Sequence, residues 1–113
     1  MGKRTPSGRE AARTVYSQSI TANGDYGPFE VVGVMNLSCG GALPTGATVS
    51  VHDSYDGGSN YYPTPANASG DAIVWDDTVA TPRCVLEEVE PGVLYIVRVA
   101  GSWTGTIPLR LSA

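Results

Sequence analysis

Val93–Ala100 reads VLYIVRVA, and this stretch decides the fold. It is rich in β-branched and aromatic residues, which suit a pleated, half-buried surface. Alternation along a strand places Val93, Tyr95, Val97 and Val99 on one face. Leu94, Ile96 and Arg98 then face the other way. A strand with one wholly apolar face and a mostly apolar second face belongs at the centre of a sheet. Pro91-Gly92 precedes it as a turn, and the Gly101–Gly105 stretch (GSWTG) follows as a hairpin.

Working outward, the same grammar recurs. Short apolar or alternating runs are separated by Gly, Pro, Asn and Asp, and the spacing predicts strands over Thr14–Thr21, Phe29–Leu37, Ala47–Asp53 and Ser59–Tyr62. Further strands are predicted over Asp71–Trp75, Arg83–Glu87, Val93–Ala100 and Thr106–Leu111. Asn23-Gly24 is expected to end the first strand, Pro28 to open the second, and Asp56-Gly57-Gly58 to turn the third into the fourth. No segment holds a 3.6-residue apolar period over two turns. About eight short strands at intervals of roughly ten residues predict an all-β fold, an antiparallel β-sandwich of jelly-roll or Ig-like type. Pro108 places the last strand at an edge or a bulge.

The chain has 113 residues, enough for one domain with a real core. Hydrophobic residues make up 42% and charged residues 16%, the latter well below the average of roughly 25%. Residues 1–13 carry Lys3, Arg4, Arg9 and Arg13 against Glu10 alone. That is a local excess of +3 in a chain of net charge −4, which leaves −7 for the rest. The domain division is therefore an extended basic arm over 1–13 and a sandwich over 14–113. The acidic body repels phosphate, so no nucleic-acid partner is expected. No apolar run approaches a membrane span, and no membrane partner is expected. The arm lacks the apolar stretch of a signal peptide, and Pro6 stands where a myristoylation signal needs Ser or Thr.

Candidate chemistry is sparse. His52 is the single histidine, with Ser50, Ser54 and Asp53 close in sequence. No nucleophile elbow accompanies them, and Asp53 points to the opposite face of the strand from His52. Asp53 to Gly58 lacks the ligand spacing of a calcium loop and reads as a hairpin turn. Cys39 and Cys84 have no metal spacing and are expected to be reduced thiols. Asp76-Asp77 and the Glu87–Glu90 cluster read as solvated loop acids, or as an acidic rim for a basic arm. Asn36-Leu37-Ser38 and Asn67-Ala68-Ser69 match the glycosylation triplet, a pattern that also arises by chance. No catalytic residue, cofactor or metal is expected. Tyr55, Tyr61 and Tyr62 crowd around one turn, as an interface anchor, a cap on the core or a sugar platform.

The second half resembles the small β-sandwich proteins and modules of tailed-bacteriophage virions. The likeness rests on the strand ATVSVHD running into Ser54-Tyr55-Asp56-Gly57-Gly58, then Pro91-Gly92 with Tyr95 and Arg98. The Gly101–Gly105 hairpin and Leu109–Ser112 complete it. It covers residues 47–113 best and 29–113 loosely. It departs at His52, where a glutamine is usual, and in the arm, which such a module does not require. The resemblance implies a virion structural protein, most readily a head decoration (cement) protein on the outer capsid surface, made in the host cytoplasm. Its partners would be the major capsid protein or other virion subunits, with a homo-oligomer, such as a trimer, as the expected state. A tail, neck or fibre-adaptor subunit is the alternative within the virion. A carbohydrate-binding module for host-surface glycans is the rival from another class. The residues expected to meet a partner are Lys3, Arg4, Arg9 and Arg13 in the arm, with Tyr55, Tyr61, Tyr62 and Trp103 in the body.

Overall fold

The computed structural model describes residues 14–66 and 70–113. Among them are nine strands and no helix: β1 (Thr14–Ile20), β2 (Gly24–Glu30), β3 (Val34–Ser38), β4 (Ala47–Ser54), β5 (Tyr62–Pro63), β6 (Val74–Trp75), β7 (Arg83–Glu87), β8 (Leu94–Gly101) and β9 (Ile107–Ser112). The arm, with Lys3, Arg4, Arg9 and Arg13, lies outside the described residues.

Two antiparallel sheets face each other. One has the order β1-β9-β3-β7; the other has β2-β8-β4, with β5 and β6 side by side along the far edge of β4. Consecutive strands mostly alternate between the sheets. If β5 and β6 count as one interrupted strand, this is the order of a jelly roll, and the Ig-like arrangement is excluded. The inner faces mesh as the alternation predicts. Val93, Tyr95, Val97 and Val99 are buried, and they meet Leu37, Ile107, Leu109 and Leu111 from the opposite sheet. In β9 the order Ile107, Leu109, Leu111 buried against Pro108 and Arg110 exposed is a strict period of two.

The predicted strand Phe29–Leu37 is two strands in different sheets. Phe29 belongs to β2 beside β8, and Met35 and Leu37 belong to β3 beside β9 and β7. Gly33 lies between them with φ +66°, a conformation that glycine adopts without steric cost. Glu88 clasps this corner: its amide donates to the Gly33 carbonyl at 2.8 Å, and its carboxylate accepts from the Gly33 amide at 3.0 Å. Asn23-Gly24 follows the end of β1, as expected, and carries the chain across to β2 in the other sheet. Pro28 lies within β2 at a bulge, after a cis Gly27–Pro28 bond. The predicted Ser59–Tyr62 strand shifts to Tyr62–Pro63, because Ser59 and Asn60 are used by the turn before it.

Candidate functional site

The turn after β4 is closed by its own side chains. Ser54 Oγ donates to Asp56 Oδ1 at 2.7 Å and accepts from the Gly58 amide at 2.9 Å. The Asn60 amide and side chain donate to the two oxygens of Asp56. These hydrogen bonds, from Asn60 first and then Ser54, hold the Asp56 carboxyl down to about 2. Asp56 is thus spent on the turn. Similar work falls to Asp76, which accepts from the Thr78 amide, and to Asp77, which accepts from the Gly46 amide. Among the described residues, no three metal-ligating side chains of the Asp, Glu, His or Cys type gather in one place.

His52 and Ser50 lie on the outer face of β4, with Ser50 Oγ 2.9 Å from His52 Nε2. Asp53 points to the inner face, where Thr64 Oγ1 donates to it at 2.9 Å. The three side chains therefore do not form a relay. His52 is only 8% exposed, and its Nδ1 is buried without a hydrogen-bond partner. Burial, and then the Arg98 guanidinium, push its pKa below the ordinary histidine value, against smaller opposite pulls from Asp25 and Asp53. The unfolded chain, with a histidine near ~6.5, then binds more protons than the folded one. Stability should be full above that value and fall as pH drops from it through the depressed folded value. The slope is bounded by about 1.4 kcal/mol per pH unit, the limit for one proton. Urea melts between pH 7 and 5 should show this fall in the parent and a flatter profile in His52→Gln. Equal slopes would remove His52 as the cause.

Asp25 and Arg98 form a bidentate pair on the same outer face, Nε to Oδ1 at 2.7 Å and Nη2 to Oδ2 at 3.1 Å. The pair is well exposed, so it contributes at most about 1 kcal/mol. Both thiols are free. Cys39 is buried and Cys84 half-buried, and burial pushes them to about 12 and about 11.

The aromatic residues separate. Tyr61 is half-buried, while Tyr55 and Tyr62 are exposed. A Cβ on Gly58 would lie 3.2 Å from the Tyr61 hydroxyl and 3.6 Å from Leu94, so Tyr61 folds back over the start of β8. Trp103 belongs to the other end of the molecule. It is packed against the core, and its Nε1 donates to Asn23 Oδ1 at 2.7 Å. The β4–β8 register places Ser54 beside Leu94 and Ala47 beside Gly101. The tyrosine turn and Trp103 thus lie beyond opposite ends of an eight-residue strand, roughly 25 Å apart. No single platform of Tyr61, Tyr62 and Trp103 exists.

A cleft of about 860 Å³ opens where the two sheets part, between β6 and β7. Ile73, Trp75 and Leu86 form its apolar wall, and Tyr55 stands at its mouth. Asp53, 6% exposed, lies within it. The segment that carries Thr64 is fixed by backbone bonds: Thr64 N to Val51 O, Ile73 N to Thr64 O, and Val51 N to Ile73 O. Asp53 and Glu87 line the cleft together with Arg83, and carboxylates dominate the field around its tyrosines. Tyr55 is raised by burial and then by Asp53 and Glu90, and Tyr95 is raised by burial and then by Asp53. Val74, Val85 and Val89 line the opening at 55%, 57% and 65% exposure. Sequence reading missed this site. Asp53 was weighed only beside His52 and as part of the turn that ends at Gly58, Val89 fell in a loop read as solvated, and Val74 and Val85 read as ordinary strand residues.

No protein-family model matches the chain, and no curated protein or solved structure shows significant similarity to it. What the fold and site define is a class: a jelly-roll domain with a half-open edge, whose cleft is ringed by exposed apolar residues.

Proposed function

We propose that the chain is a virion structural protein, most specifically a head decoration protein that binds the outer capsid surface through several weak contacts. The observation that carries this reading is the open edge, where three exposed valines border a cleft on an otherwise well-packed sandwich. Exposed apolar side chains beside a concavity are what a protein interface covers. Jelly rolls serve both capsid and lectin roles, so the fold alone does not choose between them. The separation of Trp103 from the tyrosine turn argues against the glycan reading. The resemblance over residues 47–113 and the oppositely charged arm supply the rest. Linked contacts raise effective concentration, so a shell can be held by interactions that are individually weak.

The test is co-sedimentation with capsids that lack the protein. The full chain should saturate a fixed number of sites, and a version starting at Thr14 should bind at least tenfold more weakly. Raising salt from 50 to about 500 mM should weaken the full chain most, since exposed ion pairs are screened. Equal binding by both versions at both salts would refute the arm's part in attachment. No binding to any capsid preparation would refute the decoration reading itself.

A further inference from the structure

Two crossings between the sheets lie side by side at one end of the molecule, β1 to β2 and β8 to β9. One side chain ties them together. Asn23 Nδ2 donates to the Gly101 carbonyl at 2.8 Å, and Trp103 Nε1 donates to Asn23 Oδ1 at 2.7 Å. Both polar atoms of the Asn23 amide are thus held by the loop that follows β8. Trp103 is half-buried against the core, while Asn23, Gly24 and Gly101 are exposed to water. Gly24 follows Asn23, and this is the single Asn-Gly step in the chain. In such a step the asparagine side chain closes easily on the next backbone nitrogen, because glycine has no Cβ to shield it.

We propose that Asn23 is a site of spontaneous covalent modification guarded by this clamp: it becomes aspartate or isoaspartate when the Trp103 loop lifts, and the modified residue no longer ties the loop down. No capsid partner is needed for it. The Gly24 nitrogen gives its proton to solvent base and attacks Asn23 Cγ. The N–Cγ bond forms, the Cγ–Nδ2 bond breaks, and ammonia leaves with a proton returned from solvent. Water then opens the five-membered succinimide at either carbonyl, placing a hydroxyl on carbon and a hydrogen on nitrogen. The net change is amide plus water to acid plus ammonia, with no oxidant or reductant.

The fold opposes the first step. Ring closure needs Cγ to approach the Gly24 nitrogen, but the clamp turns the amide toward the end of β8. Gly24 is also in register with Val99 in the β2–β8 ladder. Lifting the loop breaks two exposed hydrogen bonds, a local opening that costs far less than unfolding the sandwich. Conversion then works against closure. In aspartate an oxygen replaces Nδ2, so two acceptors face each other where the amide had donated to Gly101. In isoaspartate the backbone runs through Cβ and gains one atom between β1 and β2, which displaces what remains of the side chain.

The test follows the peptide that holds Asn23 by mass, which reads the exchange of ammonia for water, at one fixed pH. The folded parent should convert at least tenfold more slowly than the same chain in concentrated urea. Trp103→Phe keeps a packed ring and deletes the Nε1 donor; while folded, it should convert at least threefold faster than the parent. Leu37→Ala weakens the core without touching the clamp and should convert like the parent while it stays folded. Asn23→Asp, which carries the product directly and serves if Trp103→Phe does not fold, should melt about 3–6 °C below the parent, the loss of roughly one hydrogen bond. Equal rates in the folded and unfolded parent, or a Trp103→Phe rate equal to the parent's, would overturn the proposal. So would a rise in Leu37→Ala as large as in Trp103→Phe, or an Asn23→Asp melt equal to the parent's.

Discussion

Gly46→Ala and Gly101→Ala should each destabilise the protein by about 2–5 kcal/mol, although neither position touches the apolar core. The two glycines close the same end of the β4–β8 pair. Gly46 has φ +89° and Gly101 φ +106°, and a Cβ on either would meet backbone. On Gly46 it would lie 2.1 Å from the Ser102 carbonyl oxygen; on Gly101 it would lie 2.1 Å from the Gly46 carbonyl oxygen. A backbone carbonyl cannot rotate away as a flexible side chain can. Adding the conformational cost of an L-residue at positive φ to the cost of overpacking gives that range. A loss of this size is a large part of the ~5–15 kcal/mol typical of a domain. The Gly46 amide also donates to Asp77 at 2.8 Å, so a shift there loosens the following loop as well. Gly41→Ala is the control, since a Cβ there has no heavy atom within 4 Å and no positive φ is involved. It should be neutral or slightly stabilising. Thermal melts of the three variants decide the matter, with a fall on the order of 10 °C expected for the first two. A near-parental midpoint for Gly46→Ala would contradict the close approach of these two segments.

Leu37→Ala should destabilise the protein by about 2–5 kcal/mol, the usual range for emptying a fully buried leucine site. Leu37 is completely buried in β3, in register with Cys84 on one side and Leu111 on the other. The opposite sheet presses Val51 and Val97, both also fully buried, into the same interior. Few neighbours there can move to fill the space, because each is held by a ladder on both sides. Val34→Ala, three residues away on the outer face, is the matched control: Val34 is 59% exposed, so the change should stay within roughly 0.5 kcal/mol. Urea titration separates the two. With a slope of about 1–3 kcal/mol per molar, the Leu37 midpoint should fall by roughly 0.7–5 M and the Val34 midpoint hardly at all. A small effect at Leu37 would contradict the stacking of the two sheets.

Several elements were legible without coordinates. Period-two alternation within Val93–Ala100 assigned inward and outward faces correctly, because that pattern is set by the pleat of one chain segment; the last strand was expected over Thr106–Leu111 and lies one residue later, over Ile107–Ser112. Arg83–Glu87 was bounded correctly. The turn at Asp56-Gly57-Gly58 was legible for the same reason, its chemistry being local.

The pairing of segments was not legible. Phe29–Leu37 has strand character throughout, and only the sheet-to-sheet crossing at Gly33 divides it. The glycine that permits the crossing looks in sequence like any glycine inside a strand. Whether Val85 or Val97 is covered depends on which strand lies beside it, and that is a property of partners far along the chain. Both read as strand valines, yet one is 57% exposed at a sheet edge and the other fully buried at a sheet centre. The cleft has the same origin. Asp53 and Thr64 are drawn together by the β4–β5 hairpin, and the wall from Leu86 arrives from the other sheet. What the sequence by itself determined was the strand alphabet and the charge contrast between arm and body, both local quantities. The tertiary structure alone decided the jelly-roll order, the place of β7 at the end of its sheet and the cleft beside it, because these depend on long-range contacts that no local period encodes.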